Sequence, residues 1–334
     1  MERKNNKISV AICTYNGEKY IQEQLESIIH QSVVPDEIVL GDDGSSDMTV
    51  KIATRVLEVS GIEYKVLENN GKNLGVTANF SRTILACSGD IIFLADQDDV
   101  WFNNKVEVMY QCFSNHSKCV LAFSEGIITD TNMNGAGEIW NKVYFNDSAQ
   151  VAFSKGNYYD VLLTGNVVTG AAAAIRKDFA KEIFPMKNPH ILLHDNWIAL
   201  CAPLFGDIIA IKTPLFYYRQ HQNNQVGLRS ASLLKNIRSW LRGTFVYSKN
   251  DRDTRLEMSS YFFQEMKHKM SESEIEIISD WVSFNKWRKS FLLGNRMQAL
   301  GGVMVRAIKG DYRKYNHLVL AVTRDVLVCL FGKE

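Results

Sequence analysis

A chain of 334 residues, 46% hydrophobic and 22% charged, has room for one large or two modest domains and is too apolar to be disordered or fibrous. The formal net charge of +1 conceals an uneven distribution: residues 1–228 hold 19 Lys and Arg against 26 Asp and Glu, whereas residues 229–334 hold 19 against 11. The larger part is acidic and carries no nucleic-acid motif, so nucleic acid is not an expected partner; the basic part suits an anionic partner or a solvated helical face.

The first predicted strand is the β-branched run "KISVAICT" (7–14). A helix over "EKYIQEQLESIIHQ" follows, with Ile21, Leu25, Ile28 and Ile29 on one face. "PDEIVLGDD" starts a second strand after its proline, and "DMTVKIATRVLEVSG" reads as a helix closed by Gly61. "EYKVLEN" is a third strand, "NLGVTANFSRTILACSG" a third helix and "DIIFLAD" a fourth strand. Alternating strands and helices with mostly apolar strands predict a parallel sheet covered on both faces. Next come a helix over "NKVEVMYQCFSNH" and one or two strands over "CVLAFSEGIIT". Residues 131–157 are polar and glycine-bearing and read as loop. "VVTGAAAAI" reads as a strand, "HDNWIALCAPLFG" as a helix, and "DIIAIK" and "PLFYYRQH" as two strands. Beyond about 229 strand signals fade and helices dominate, which places a domain boundary near 228.

Six scattered cysteines (13, 87, 112, 119, 201, 329) form no CxxC pair, which excludes a zinc ribbon or thioredoxin motif. Most lie in apolar runs and read as buried thiols of a reducing compartment. The first residues lack the long apolar stretch of a signal peptide. No run of about 18 uninterrupted apolar residues predicts a transmembrane helix.

Three strands end in chemistry: "TYNG" (Thr14–Gly17), "DDGSSD" (Asp42–Asp47) and "DQDD" (Asp96–Asp99). In an open α/β sheet these ends meet along the rim where ligands bind. "DDGSSD" alone would serve as a turn with a helix cap. The "DQDD" segment holds more carboxylates than a cap needs. Clustered hard oxygens suit Mg²⁺ or Mn²⁺, which take their remaining ligands from water and substrate phosphates. "TYNGEKY" lacks the G-x-G-x-x-G of a nicotinamide dehydrogenase, and no Walker A loop is present. "FLADQDDV" does match the DxDx[TV] of haloacid-dehalogenase-like phosphohydrolases, but "GDDGSSD" precedes it, the wrong order for that family.

"ISVAICTYNGEKYIQEQLESIIHQ", "DDGSSDMT", "NLGVTANF", "DQDDVW", "VVTGAAAAI", "HDNWIAL" and "YRQHQNNQVG", taken in order, resemble the family 2 glycosyltransferases over about residues 7–228. The resemblance implies an α/β GT-A fold, a Rossmann-like nucleotide-diphospho-sugar transferase domain over 1–228, followed by a mainly helical region over 229–334. "DQDDVW", "HDNW" and "YRQHxxN" together look most like bacterial rhamnosyltransferases of cell-wall, capsule or O-antigen synthesis. The Q-x-x-R-W of processive polymerases is absent, so transfer of a single sugar is implied. The expected reaction is inverting and metal-dependent, with dTDP-L-rhamnose the first choice of donor and a UDP-hexose the alternative. A phosphohydrolase and a non-catalytic sugar-nucleotide-binding subunit are the readings of other classes.

Roles carry over residue by residue. Thr14, Tyr15 and Asn16 resemble the edge of the nucleobase pocket. Asp43, or alternatively Asp42, resembles the carboxylate that accepts from a pyrimidine N3–H. Asn73 and Asn79 fall in the stretch that lines the nucleoside, although Asn73 also suits a helix cap and Asn79 a solvent face. Asp96 and Gln97 are expected beside the nucleotide, with Asp98, Asp96 and Asp99 as metal ligands and His221 as a metal or diphosphate contact. Arg219 suits a phosphate partner or an exposed salt bridge. Asp195 of "HDNW" is the expected catalytic base, with a helix N-cap as its other reading; Trp101, Gly170 and His194 are expected beside it on the sugar side. The implied cofactor is Mg²⁺ or Mn²⁺. The implied partners are a nucleotide-diphospho-sugar donor and a polyprenyl-diphosphate-linked or saccharide acceptor. The expected location is cytoplasmic, peripheral at the inner face of the membrane. The basic, apolar-striped "QALGGVMVRAIKGDYRKYNHLVLAVTRDVLVCLF" suits such a membrane surface, and equally a packed domain face or a homo-oligomer contact.

Overall fold

The computed structural model describes residues 6–69, 73–221, 237–290, 296–315 and 318–331. The expected boundary near 228 and the "QNNQVG" end of the "YRQHQNNQVG" motif lie outside them. The chain divides into two compact units, one of 1–158 with 166–227, the other of 159–165 with 228–334.

In the first unit, β1 (Ile8–Thr14) is buried at every position because it runs through the middle of the sheet. Helix α1 (Ile21–Ile29) buries Ile21, Gln24, Leu25 and Ile28, a single stripe of helical period. Then come β2 (Glu37–Asp42), α2 (Thr49–Glu58), β3 (Glu63–Leu67), α3 (Val76–Ala86) and β4 (Ile91–Asp96). Strands β3, β2, β1 and β4 are neighbours in that order and all parallel. After β4 follow the two-residue β5 (Val100–Trp101), α4 (Lys105–Asn115) and the eleven-residue β6 (Cys119–Thr129).

The rest of the sheet departs from the all-parallel expectation. Strand β7 (Gly135–Glu138) pairs antiparallel with β6. Helices α5 (Ile139–Lys142) and α6 (Asp147–Ser154) stand where the sequence reads as loop. Buried Trp140, Phe145 and Phe153 pack there on Phe123, so sparse aromatic anchors hold helices that polar composition disguises. The Asn146 side chain caps α6 by accepting from Ala149 N at 3.1 Å. Helix α7 (Tyr159–Leu162) belongs to the second unit.

"VVTGAAAAI" is only partly strand: Gly170–Ala172 form a 3-10 turn, and β8 is Ala173–Arg176. Strand β8 inserts antiparallel between β4 and β6, making the sheet mixed. Helices α8 (Lys177–Ile183) and α9 (His194–Cys201) precede β9 (Asp207–Arg219). The two strands expected there are one; the β6–β9 register jumps from Ile211 to Pro214, because a proline cannot donate to the ladder and sits at the irregularity.

The second unit is helical: α7 with α10 (Ile237–Met266), α11 (Glu272–Ser290), α12 (Arg296–Lys309), α13 (Asp311–Tyr315) and α14 (Leu318–Phe331). Phe262, Trp281, Phe284 and Tyr312 form its core. Arg288 grips buried Asp325 through Nε and Nη2 at 2.8 and 3.1 Å, and Tyr312 Oη donates to the same carboxylate at 2.7 Å. No helix among the described residues is long and apolar enough to cross a membrane.

Candidate active site

Register brings the strand ends together. Thr14 lies beside Asp42 across β1 and β2, and Cys13 lies beside Asp96 across β1 and β4. The loops after β1 and β2 are then laced: Asn16 N donates to Ser45 Oγ at 2.8 Å, Ser46 N donates to Asn16 Oδ1 at 2.8 Å, and Gly17 N donates to Thr49 Oγ1 at 2.7 Å. Asn16 holds a left-handed φ of 49° to make these bonds. Gln97 clamps Tyr15 from both sides, accepting from its N–H at 2.8 Å and donating to its carbonyl at 3.1 Å. A Cβ at Gly17 would sit 2.2 Å from Gln97 Oε1, so a larger residue there would push the Gln97 amide off Tyr15.

Asp42 and Asp43 take different jobs. Asp42 accepts from Thr14 Oγ1 (2.7 Å), Ser45 Oγ (2.6 Å), Gly44 N (3.0 Å) and Ser45 N (2.8 Å), which uses the whole carboxylate on its own turn. Asp43 accepts from Asn69 Nδ2 (2.8 Å), Leu74 N (2.7 Å) and Gly75 N (2.8 Å), leaving one of its roughly four acceptor sites. Asn73 bonds Gly75 N at 2.9 Å, but Gly75 occupies the N-cap of α3. Asn79 does not face solvent. It is buried, donating to Gly41 O at 2.7 Å and accepting from Arg82 Nε at 2.8 Å. It therefore braces the end of β2 from behind.

At the "DQDD" end, buried Asp98 meets His221, whose Nε2 lies 2.8 Å from Asp98 Oδ2. The His221 ring stacks on Tyr20 at 4.8 Å, and the Arg219 guanidinium covers the same ring at 4.9 Å. Arg219 itself is buried and paired with Glu23 at 2.5 Å, so it is no exposed surface bridge. Asp99 accepts from Arg219 N at 3.2 Å through Oδ1, and its buried Oδ2 has no hydrogen-bond partner. Burial, then the charges of Asp98 and Asp96, push the Asp99 carboxyl upward. The same burial raises Asp96, with Asp98 and Asp195 adding to it.

Lys105 faces this cluster. It is fully buried, its Nζ donating to Ala171 O at 2.5 Å and lying over the Trp101 and Phe216 rings at 4.2 and 4.4 Å. Burial lowers its pKa while Asp99 and Asp96 oppose that fall. Trp101 is 3% exposed and works from within the wall, its backbone N–H donating to Ser27 Oγ at 3.0 Å while its buried indole Nε1 has no hydrogen-bond partner.

Asp195 comes to the same place from α9. The N-cap of α9 is Leu193, so the capping role is not Asp195's; its Oδ1 accepts from Asn196 N at 2.6 Å inside the first turn. Burial raises its pKa to about 6, against the Asn196 and Gly170 backbone amides and the Asn166 side chain. His194 points away from solvent. Its ring stacks on Phe80 at 3.8 Å, both ring nitrogens lack partners, and burial alone lowers its pKa to about 3, so it is neutral. Gly170 makes room for it: a Cβ there would lie 2.5 Å from His194 Nε2.

The model of the family "Glycosyl transferase family 2" matches residues 9–184, more than half of the chain. The chain belongs to glycosyl transferase family 2. The match takes in all three strand ends and stops short of Asp195 and His221. The dTDP-rhamnosyl transferase RfbG of Shigella flexneri is 30% identical over 227 residues, 65% of this chain and 73% of that protein. Among solved structures, S. aureus TarS 1–349 in complex with UDP-GlcNAc superposes with a TM-score of 0.58 at 14% identity, covering 97% of this chain and 90% of that one. The mannosyltransferase PcManGT of Pyrobaculum calidifontis, in complex with GDP-Man and Mn²⁺, gives 0.51 at 15% identity over 99% and 89%. These likenesses establish the GT-A fold of the glycosyltransferase. Family membership sets aside the phosphohydrolase reading.

A divalent cation is tested by the donors present. Among the described residues no three His, Cys, Asp or Glu side chains form a ready cation cage. The Asp98–His221 pair and the orphaned Asp99 Oδ2 do fit a hard cation that draws its other ligands from water and a diphosphate. Sequence reasoning missed two residues of this candidate site. Lys105 had a readable signal: with Val106, Met109, Tyr110 and Phe113 it lies in the buried stripe of α4, where a lysine needs a counter-charge. Tyr218 had none. It is buried, and its hydroxyl feels the charges of Asp99, Asp96, Asp98 and Asp195 together.

Proposed function

We propose that this glycosyltransferase moves a single L-rhamnosyl unit from dTDP-L-rhamnose to a saccharide or lipid-linked saccharide hydroxyl, with inversion and with Mg²⁺ or Mn²⁺ bound. One observation carries the reading: Tyr218 is buried beside four carboxylates, three from the "DQDD" segment and the fourth Asp195, whose charges add to the rise that burial gives its hydroxyl pKa. The groups assigned to the donor side and to the base side therefore lie close enough to feel one another's charge, which supports one shared site. Choice of donor rests on the likeness to RfbG and on Asp43, whose remaining acceptor site suits a pyrimidine N3–H.

In this mechanism Asp195 is the base. Its ionised carboxylate takes the proton of the acceptor hydroxyl as that oxygen attacks the anomeric carbon. The new glycosidic bond forms on one face while the bond to the diphosphate breaks on the other, its electron pair leaving with the nucleotide. Asp98 and His221, with Asp96 and Asp99, would hold the cation. When bound, it neutralises the charge of the departing diphosphate. Lys105 and Tyr218 fix the carboxylates from behind, while Trp101, Gly170 and His194 shape the sugar side. Six free cysteines, five of them buried, support a reducing, cytoplasmic setting.

The test is a panel of dTDP-L-rhamnose, UDP-glucose, UDP-GlcNAc and GDP-mannose with Mg²⁺ or Mn²⁺, read by thermal shift and by the anomeric configuration of the product. Stabilisation grows as RT ln(1 + [L]/Kd), so the true donor raises the melting temperature most. A larger shift with a UDP-hexose overturns the rhamnose assignment. A product that retains the donor's configuration overturns the single-displacement mechanism.

A further inference from the structure

Helix α12 turns Ala299 and Val303 inward, at 5% and 0% exposure, and presents the opposite face to solvent. On that face Met297, Met304, Val305 and Ile308 are 74%, 50%, 50% and 83% exposed. Positions 297, 301, 304, 305 and 308 recur at helical spacing and form one apolar stripe. Gly301 leaves the middle of the stripe open, since a Cβ there would meet nothing within 4 Å.

Charge identifies the occupant. Residues 296–314 hold five Arg and Lys against a single acid, Asp311. Asp311 is already paired with Arg306 at 2.8 Å. Lys309, one turn beyond Val305, and Arg313 and Lys314 of α13 are exposed. An apolar stripe edged by exposed cations matches an anionic lipid surface, where the stems can lie along the stripe and the ammonium groups reach phosphates. A second copy docked on the same face by two-fold symmetry would set these cations against themselves. Spanning is not an option for α12, because no described helix is long and apolar enough.

We propose that α12 and the start of α13 lie flat on an anionic membrane surface, with Met304, Val305 and Ile308 at the boundary between headgroups and acyl chains and Lys309, Arg313 and Lys314 at the lipid phosphates. This surface is independent of the donor reading.

The experiment is co-sedimentation of the full chain with vesicles of phosphatidylcholine alone or mixed with phosphatidylglycerol. Binding is expected only to the mixed vesicles and should fade in 1 M salt, where screening acts within about 3 Å. Replacing Lys309, Arg313 or Lys314 with Gln should weaken binding about fivefold each, from roughly 1 kcal/mol per cation near the surface. Ile308→Glu should abolish it at an unchanged melting temperature, because Ile308 is exposed. Transfer to a soluble acceptor, measured on the same variants, stays at wild-type level, which separates this surface from the catalytic reading. Equal binding to both vesicle types, or binding that survives Ile308→Glu, overturns the proposal. So does a concentration-dependent dimer that Ile308→Glu disperses, which would assign the stripe to a second copy.

Discussion

His221 Nε2 and Asp98 Oδ2 lie 2.8 Å apart, although 123 residues separate them. Strand β9 makes this contact: it pairs with β5 through Tyr217 and Val100 and so delivers its far end to the "DQDD" segment. Tyr20, from the loop after β1, stacks on the imidazole and fixes its plane. Three remote segments thus converge on one carboxylate, which holds the proposed metal-side residue in a single orientation.

The expected consequence is metal dependence with a graded response. EDTA should abolish transfer, and Mg²⁺ or Mn²⁺ should restore it. Asp98→Asn should fold normally and lose metal-dependent nucleotide binding. His221→Ala should weaken metal affinity by at least about 10–100-fold, the usual cost of losing even a group that only orients a ligand. Titration calorimetry with Mn²⁺ and dTDP checks each step. Full transfer in EDTA would remove the cation from the mechanism.

Lys105 offers a second test. Lys105→Met keeps the length of the side chain between Trp101 and Phe216 but strips the donor from Ala171 O and the positive charge from beside Asp99 and Asp96. An unsatisfied buried carbonyl costs about 1–3 kcal/mol, so denaturant unfolding should show a loss in that range. Transfer should fall as well, because Ala171 follows Gly170, whose amide supports Asp195. Lys105→Arg should not rescue it, since the wider guanidinium does not fit rings 4.2 and 4.4 Å from Nζ. Wild-type stability and turnover in Lys105→Met would reduce this lysine to filler.

Gly170→Ala probes the sugar side. The added methyl would press on His194 Nε2, and His194 has little room to retreat because Phe80 stacks against its other face at 3.8 Å. Overpacking of this kind costs about 1–3 kcal/mol. Denaturant unfolding measures that loss. Transfer should drop while nucleotide affinity holds, since the loops of Tyr15 and Asp43 are untouched. A variant as stable and active as wild type would show that His194 can move.

The sequence carries the strand-end half of this candidate site openly and the rest poorly. β1, β2 and β4 are continuous apolar runs ending in Thr14, Asp42 and Asp96, so both their parallel pairing and their shared rim follow from pattern. Strand β8 is four residues long and lies antiparallel. Its alanine-rich sequence carries no orientation. The contact of His221 with Asp98 depends on the length and bulge of β9, which read as two strands because Pro214 breaks the pattern. Asn79 looked like a surface amide; only the structure reveals the Gly41 carbonyl behind it. Tertiary geometry decides these features, and periodicity is blind to it.

Asp195 gives the sharpest test. Burial raises its pKa from 3.8 to about 6, and a base works only when ionised. Transfer should therefore rise about tenfold per pH unit up to about 6 and level off above it. Asp195→Asn should lose that limb and about 10²–10⁴ in rate, with dTDP affinity little changed. Stability runs the other way. Because the folded pKa lies above the unfolded one, the native state holds the extra proton between about pH 4 and 6, and the ionised carboxylate costs stability above that window. An asparagine has no charge to bury and can still accept from Asn196 N, so the variant should melt no lower than wild type at pH 7.5. Leu193 stands at the N-cap of α9 without a side-chain bond, and the asparagine keeps the acceptor for the first-turn Asn196 amide, so loss of capping is no rival source of any loss. Melting temperature, dTDP binding and sugar transfer measured on one preparation separate the outcomes. Near-normal transfer with an intact pH limb would take Asp195 out of the mechanism.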